Sequence, residues 1–214
     1  MRVLAWDDTI AGMRLALGDA KGSTVVEFMH PHKRTQVYQL AAGEKPLVVE
    51  ALDKKNSEGK PFTCEIKIPE GFKQPLLVIL PDEKAATGVR LFVLDDETSS
   101  FAWGSTRFIN ATGRQLVFVY EKKSVALPAS WTPVQADPGG NNRNMEVKFF
   151  FRDEPARAFY SGVWEQNSDM RMLVFLIPGE DPRLGPVAMK IIPEDRRHVE
   201  AARDAAANAD DSQR

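Results

Sequence analysis

Three groups of residues in this chain carry ligating or reactive chemistry at close spacing. His30-Pro31-His32 puts two imidazoles on one side of an extended segment. A zinc or copper site needs one or two further ligands. Lys33 and Arg34 adjoin the pair and repel a cation, and the remaining histidine, His198, lies far away near the C-terminus. Asp95-Asp96-Glu97 follows an apolar run. Two carboxylates at a set separation can hydrolyse glycosides, but no partner carboxylate or apolar pocket is marked in the sequence. Calcium wants alternating oxygen ligands and a tight glycine, and that spacing is missing. The cluster therefore reads as a solvated turn. Cys64 sits in Phe62-Thr63-Cys64-Glu65-Ile66-Lys67-Ile68, which alternates apolar and polar residues. Its place on the apolar side predicts a core thiol, not a nucleophile, and a single cysteine excludes an intrachain disulfide. The sequence has no Gly-x-Ser-x-Gly elbow, no His-Glu-x-x-His helix, no phosphate-cradling loop and no dinucleotide fingerprint. The expectation is a protein with no catalytic residues, no metal and no cofactor.

The aromatic residues offer a different chemistry. Trp6, Trp103, Trp131 and Trp164, with Phe159 and Tyr160, could supply flat faces for stacking sugar rings. Trp103 lies at a turn in Phe101-Ala102-Trp103-Gly104-Ser105, and Trp131 lies in the proline-rich Leu127-Pro128-Ala129-Ser130-Trp131-Thr132-Pro133. The competing reading is that these indoles plug the ends of a sandwich, as large amphipathic rings commonly do. Trp103, Trp131 and Tyr160 are the candidate binding residues, and they carry the alternative of a carbohydrate-binding module.

The elements that must position these groups read as strands. Short apolar runs recur about every ten to fifteen residues, broken by Gly, Pro, Asn and Asp, which predicts an all-β sandwich rather than alternating βαβ units. Met13–Leu17 and Thr24–Met29 flank a turn-like Gly18–Gly22 and predict a hairpin, with a helix over Thr9–Leu17 as the competitor. Further strands are expected at 36–40, 46–52, 62–68, 76–80, 89–94, 106–109, 116–120, 125–127, 145–149, 158–164, 171–177 and 187–192. Leu76-Leu77-Val78-Ile79-Leu80 is apolar throughout, which suits a strand covered on both faces. Asp137–Asn144 is the longest loop-like run, and no repeat of fixed period is visible.

The 214 residues carry 28 Lys and Arg against 30 Asp and Glu, a formal charge of -2. That near-balance argues against bulk electrostatic binding of nucleic acid or anionic lipid. No stretch reaches the ~20 apolar residues of a membrane-spanning helix. The expected organisation is a β-sandwich over 1–192, either one domain or two subdomains separated at the 53–60 or 137–144 loops. A helical or disordered tail follows over 193–214. Pro193, Glu194 and Asp195 suit a helix N-terminus there, while Val199 and the alanines offer little apolar surface.

Four stretches together resemble a known family: Met29-His30-Pro31-His32-Lys33-Arg34, Phe101–Thr112, Phe159-Tyr160-Ser161-Gly162-Val163-Trp164 and Arg171–Pro178. They are similar to verrucomicrobial envelope β-sandwich proteins of the kind encoded in the Akkermansia type IV pilus-like gene cluster, over about Leu15 to Ile192. The resemblance implies an immunoglobulin-like β-sandwich with a short C-terminal helical tail, acting as a non-catalytic structural or adaptor protein. Its partners would be other envelope or pilus-assembly proteins, or further copies of itself. It also implies export to the periplasm or outer membrane, with a signal peptide missing ahead of Met1. The residues themselves leave the cytosol open, because Asp7 and Asp8 interrupt any apolar leader at the start. In the Tyr160–Trp164 stretch, the small Gly162 leaves room for two rings to pack.

Overall fold

The computed structural model describes residues 1–41, 43, 45–181 and 183–211. The chain is mostly β and divides into two compact units, Met1–Ser100 and Phe101–Arg214. The 53–60 and 137–144 segments join strands inside these units.

The first unit contains β1 (Arg2–Ala5), the short helix α1 (Asp8–Ala11), β2 (Leu15–Gly18), β3 (Ser23–Val25), β4 (Val48–Lys55), β5 (Pro61–Glu65), β6 (Pro75–Pro81) and β7 (Val89–Asp95). They form two sheets, in the orders β1-β6-β7 and β3-β2-β4-β5. β1 runs parallel to β6, with Val3 opposite Leu77 and Ala5 opposite Ile79. Those four residues share one core with Leu15, Leu17, Val49 and Ala51 of the other sheet, so the sheets pack face to face. On the other face of β6, Leu76, Val78 and Leu80 are buried as well, as its unbroken apolar run predicts.

The second unit contains β8 (Thr106–Asn110), β9 (Leu116–Tyr120), β10 (Lys123–Leu127), β11 (Val134–Ala136), β12 (Arg143–Phe151), β13 (Ala158–Gln166), β14 (Met170–Pro178), β15 (Val187–Asp195) and the helix α2 (Arg196–Asp211). Its sheets have the orders β11-β8-β14-β15 and β10-β9-β12-β13. Phe108, Val174 and Leu176 from the first meet Phe118, Val147 and Phe149 from the second in one core. The ring centroids of Phe108 and Phe118 lie 4.7 Å apart and those of Phe118 and Phe149 4.8 Å apart, within the range for favourable aromatic pairs.

The two units share one topology. β8 pairs in parallel with β14 as β1 does with β6. β10-β9-β12-β13 reproduces β3-β2-β4-β5, and β14-β15 reproduces β6-β7. The counterpart of β11 in the first unit is an irregular segment lying along β1: the N–H of Thr35 donates to Val3 O at 2.9 Å and that of Tyr38 to Met1 O at 2.8 Å. The chain is thus a tandem duplication in structure. The sequence shows no repeat because the topology constrains only the alternation of apolar residues, not their identity.

Several expectations shift at their boundaries. The strand expected at 36–40 is this irregular segment, while the expected turn at Asp95–Glu97 buries Asp96 at 2% exposure. The hairpin and helix expected around Thr9–Met29 both exist in shorter form. Asp7 caps α1 through its carboxylate, which accepts the N–H of Ile10 at 2.8 Å, and β2 then pairs with β3. Pro193 does not begin the helix: it pairs with Met172 in the β14–β15 ladder. Pro193 is tolerated there because β15 is an edge strand, where a missing N–H breaks no ladder bond on the open side. The helix begins at Arg196, and its start is capped by Asp195, whose carboxylate accepts the N–H of Arg197 at 2.9 Å. The Arg197 guanidinium holds the Asp195 carboxyl well below the usual range, at about 2.

The end of the chain and the buried strand should respond differently to damage. Ile79 has no exposed surface, so Ile79→Ala leaves a cavity and should cost about 2–5 kcal/mol in urea unfolding. His198, Glu200, Ala201 and Ala202 of α2 are exposed. Truncation after His198 should therefore shift unfolding by less than about 1 kcal/mol.

Candidate binding site at the edge of the second unit

The side chains of the second unit converge at one end of its sandwich. Gly104 turns the chain into β8 with φ +82°, a left-handed conformation that favours glycine. Its N–H donates to Met170 O at 2.7 Å, and its carbonyl accepts from Gln166 Nε2 at 2.8 Å. A Cβ at this position would lie 3.3 Å from that same Nε2. These contacts draw together the entry to β8, the end of β13 and the start of β14. Between them opens a cleft of about 310 Å³. Trp164, Met170, Met172 and Ile191 form its apolar wall, and Ser105, Thr106, Gln166 and Asn167 add polar groups. The Ser105 hydroxyl is committed to Ala102 O at 2.6 Å. Glu165, also in the lining, is exposed and has no ion pair among the described residues.

Between Met170 and Met172, on the opposite face of β14 from the cleft, stands a buried cation. Arg171 is 2% exposed. The β14–β15 register sets it directly opposite Glu194, whose carboxylate accepts from Arg171 Nε at 2.7 Å and Nη2 at 2.5 Å. A third bond runs from Nη1 to Phe101 O at 3.0 Å. The guanidinium carbon also lies 4.8 Å from the ring centre of Trp103 and 4.9 Å from that of Phe101, at distances where the ring quadrupole attracts a cation. Arg196 approaches Trp103 as well, at 5.9 Å.

Trp103, Trp131 and Tyr160 come from three different elements. Trp103 is half-buried against Arg171. Trp131, between β10 and β11, is half-buried with its ring 6.2 Å from that of Phe175. Tyr160 is half-buried on β13, and its hydroxyl accepts from Trp164 Nε1 at 3.0 Å. Gly162 makes this bond possible, because a Cβ there would lie 2.7 Å from the Tyr160 hydroxyl. None of the three candidate residues lines the cleft. Its apolar wall comes instead from Trp164, which the sequence groups with the other stacking aromatics, and from Met170, Met172 and Ile191, which carry no sequence signal beyond their place in apolar strands.

The groups in the first unit are engaged locally. The N–H of His32 donates to His30 Nδ1 at 2.9 Å, and both side chains are exposed. Asp96 accepts from Arg34 Nε at 3.0 Å and Nη2 at 3.1 Å, and it also pairs with Arg2. This carboxylate, read from sequence as solvated, is one of the most buried charges in the unit: the bidentate arginine repays the loss of water. Cys64 is half-buried, and burial, with Asp82 and Glu65 nearby, pushes its thiol up.

No family model matches the chain, and no curated protein matches it.

Two measurements check this electrostatic description. Glu194→Gln removes the charge facing a buried guanidinium, and breaking such a pair should cost about 3 kcal/mol in chemical unfolding. A loss below about 1 kcal/mol would show that Glu194 contributes no more than a surface pair. Cys64 should react with Ellman's reagent at pH 8 more slowly than free cysteine, because less of it is thiolate. In urea the rate should rise to that of the free amino acid.

Proposed function

We propose that the chain is a non-catalytic adaptor of the bacterial cell envelope, built from immunoglobulin-like sandwich units and connected with type IV pilus-like assembly. The observation that carries the adaptor reading is where bonding capacity remains. The buried charges Asp96, Arg34, Arg171 and Glu194 are tied to one another in pairs within their own units. The sheets, by contrast, end on open strand edges. Edge amides and carbonyls pair with a further chain at little cost, since they need no rearrangement of the fold. The family resemblance supports the envelope setting and the pilus-assembly partners.

The reading is tested in the source cell with a tagged chromosomal copy, by fractionation followed by crosslinking and mass spectrometry. The chain should be recovered with the envelope and crosslinked to proteins of the pilus-assembly cluster. Recovery from the cytosol alone would overturn the envelope setting. Envelope recovery with elution by mucin or cell-wall glycans, lost in Trp103→Ala or Trp131→Ala, would put the carbohydrate-binding alternative first.

A further inference from the structure

The edge strands of the two units are unequal. β3 and β11 are three residues long, and β1 is already lined by the segment containing Thr35 and Tyr38. β5 opens on Pro61, β7 carries Arg90, β10 begins with Lys123, and β15 carries Lys190 and Pro193. Charge, proline and shortness are the usual devices that keep an edge from pairing. β13 is neither short nor interrupted by proline, and it carries no lysine or arginine. It is nine residues long, with Glu165 as its single charge. Its topological counterpart in the first unit, β5, has five residues.

The hydrogen-bond phase of β13 follows from its neighbours. The N–H of Glu121 donates to Glu146 O, so Glu146 directs its carbonyl towards the β9 side of β12. Main-chain groups alternate sides along an antiparallel strand. Met145, Val147 and Phe149 therefore face β13, where their register partners are Trp164, Gly162 and Tyr160. By the same alternation, Ser161, Val163 and Glu165 direct their N–H and C=O groups outwards from the sheet. All three residues are exposed, Val163 to 64%, and no turn, loop or cap hydrogen bond among the described residues engages their backbone.

The cleft is continuous with this edge, since Trp164, Glu165, Gln166 and Asn167 line it. Side chains on the sandwich-facing side of an added strand would lie over its apolar wall. A second copy of β13 cannot fill it: the inward Trp164 of that copy already packs against Phe108, Phe118 and Phe149 in its own core. The occupant that fits is a segment not yet part of a sheet.

Resting on the adaptor reading, we propose that β13 takes an extended segment of a partner protein as an added strand, apolar at alternate positions and with a lysine or arginine beside Glu165. The main chain supplies affinity, and the cleft and the carboxylate supply selectivity.

The probe is a phage-displayed library of random nonapeptides selected against the full chain, with the best peptide then synthesised and titrated by fluorescence anisotropy. Enriched peptides should alternate apolar and polar residues and contain lysine or arginine. Val163→Pro deletes one outward N–H without touching the β12 ladder, and it should weaken binding at least tenfold with an unchanged melting temperature. Glu165→Lys, at an exposed position, should turn the selection towards peptides with aspartate or glutamate. That second variant decides the matter if Val163→Pro perturbs the fold. Binding that survives both variants would overturn β13 as the docking edge and leave the adaptor reading standing. The absence of any enriched peptide would overturn the docking edge too, while the adaptor reading is judged separately by crosslinking in cells. Sedimentation showing a dimer that Val163→Pro dissociates would assign the edge to a second copy and overturn the proposal.

Discussion

The architecture depends on one pairing, made twice: the first strand of each unit runs parallel to its penultimate strand. Two parallel neighbours cannot be joined by a tight turn, so the chain between them must leave the sheet and return. Here it leaves to build the opposite sheet. β2 to β5 are laid down between β1 and β6, and β9, β10, β12 and β13 between β8 and β14. The second sheet buries the inward face of the first, and the two apolar faces together make the core. β6 and β14, flanked on both sides, therefore carry the longest unbroken apolar runs in their units.

Charge is used within this frame as a clamp. In the first unit, Asp96, just beyond the last strand, holds Arg2 on the first strand and Arg34 in the segment beside it. One carboxylate thereby ties the beginning of the unit to its end. In the second unit, Arg171 and Glu194 face each other across neighbouring strands, and Phe101 and Trp103 close over the guanidinium. Each ion is taken from water only where a partner meets it with matching geometry, and loss of a partner from such a pair is costly. This gives Trp103 a clear structural task as the lid on a buried arginine. Tyr160 has another, since its hydroxyl receives the indole N–H of Trp164 across the space left by Gly162.

The duplication also shows how one topology can yield different surfaces. β5 and β13 occupy the same place in their sheets, but β5 is short and begins with proline, whereas β13 is long and nearly uncharged. The cleft beside β13 lies where Gly104 and Gln166 draw three chain segments together, with Met170 and Met172 in its wall.

The sequence by itself determined the class of fold. Apolar alternation, turn residues and proline placement marked most strands, and the unbroken run Leu76–Leu80 marked a strand buried on both faces. These signals are local, so they survive without knowledge of what lies opposite. The sequence also placed Cys64 on the apolar side of its strand and predicted the helix at the end of the chain. Tertiary structure alone decided the rest. The division at Ser100 and Phe101, the common topology of the two units, the burial of Asp96 and the assembly of the cleft all depend on contacts between residues far apart in the chain. Asp96 looked solvated because its arginine partners lie 62 and 94 positions away. Trp164 stood out only as one aromatic among several and the two methionines not at all, because a cleft is a property of the space between elements, and no single segment encodes that space.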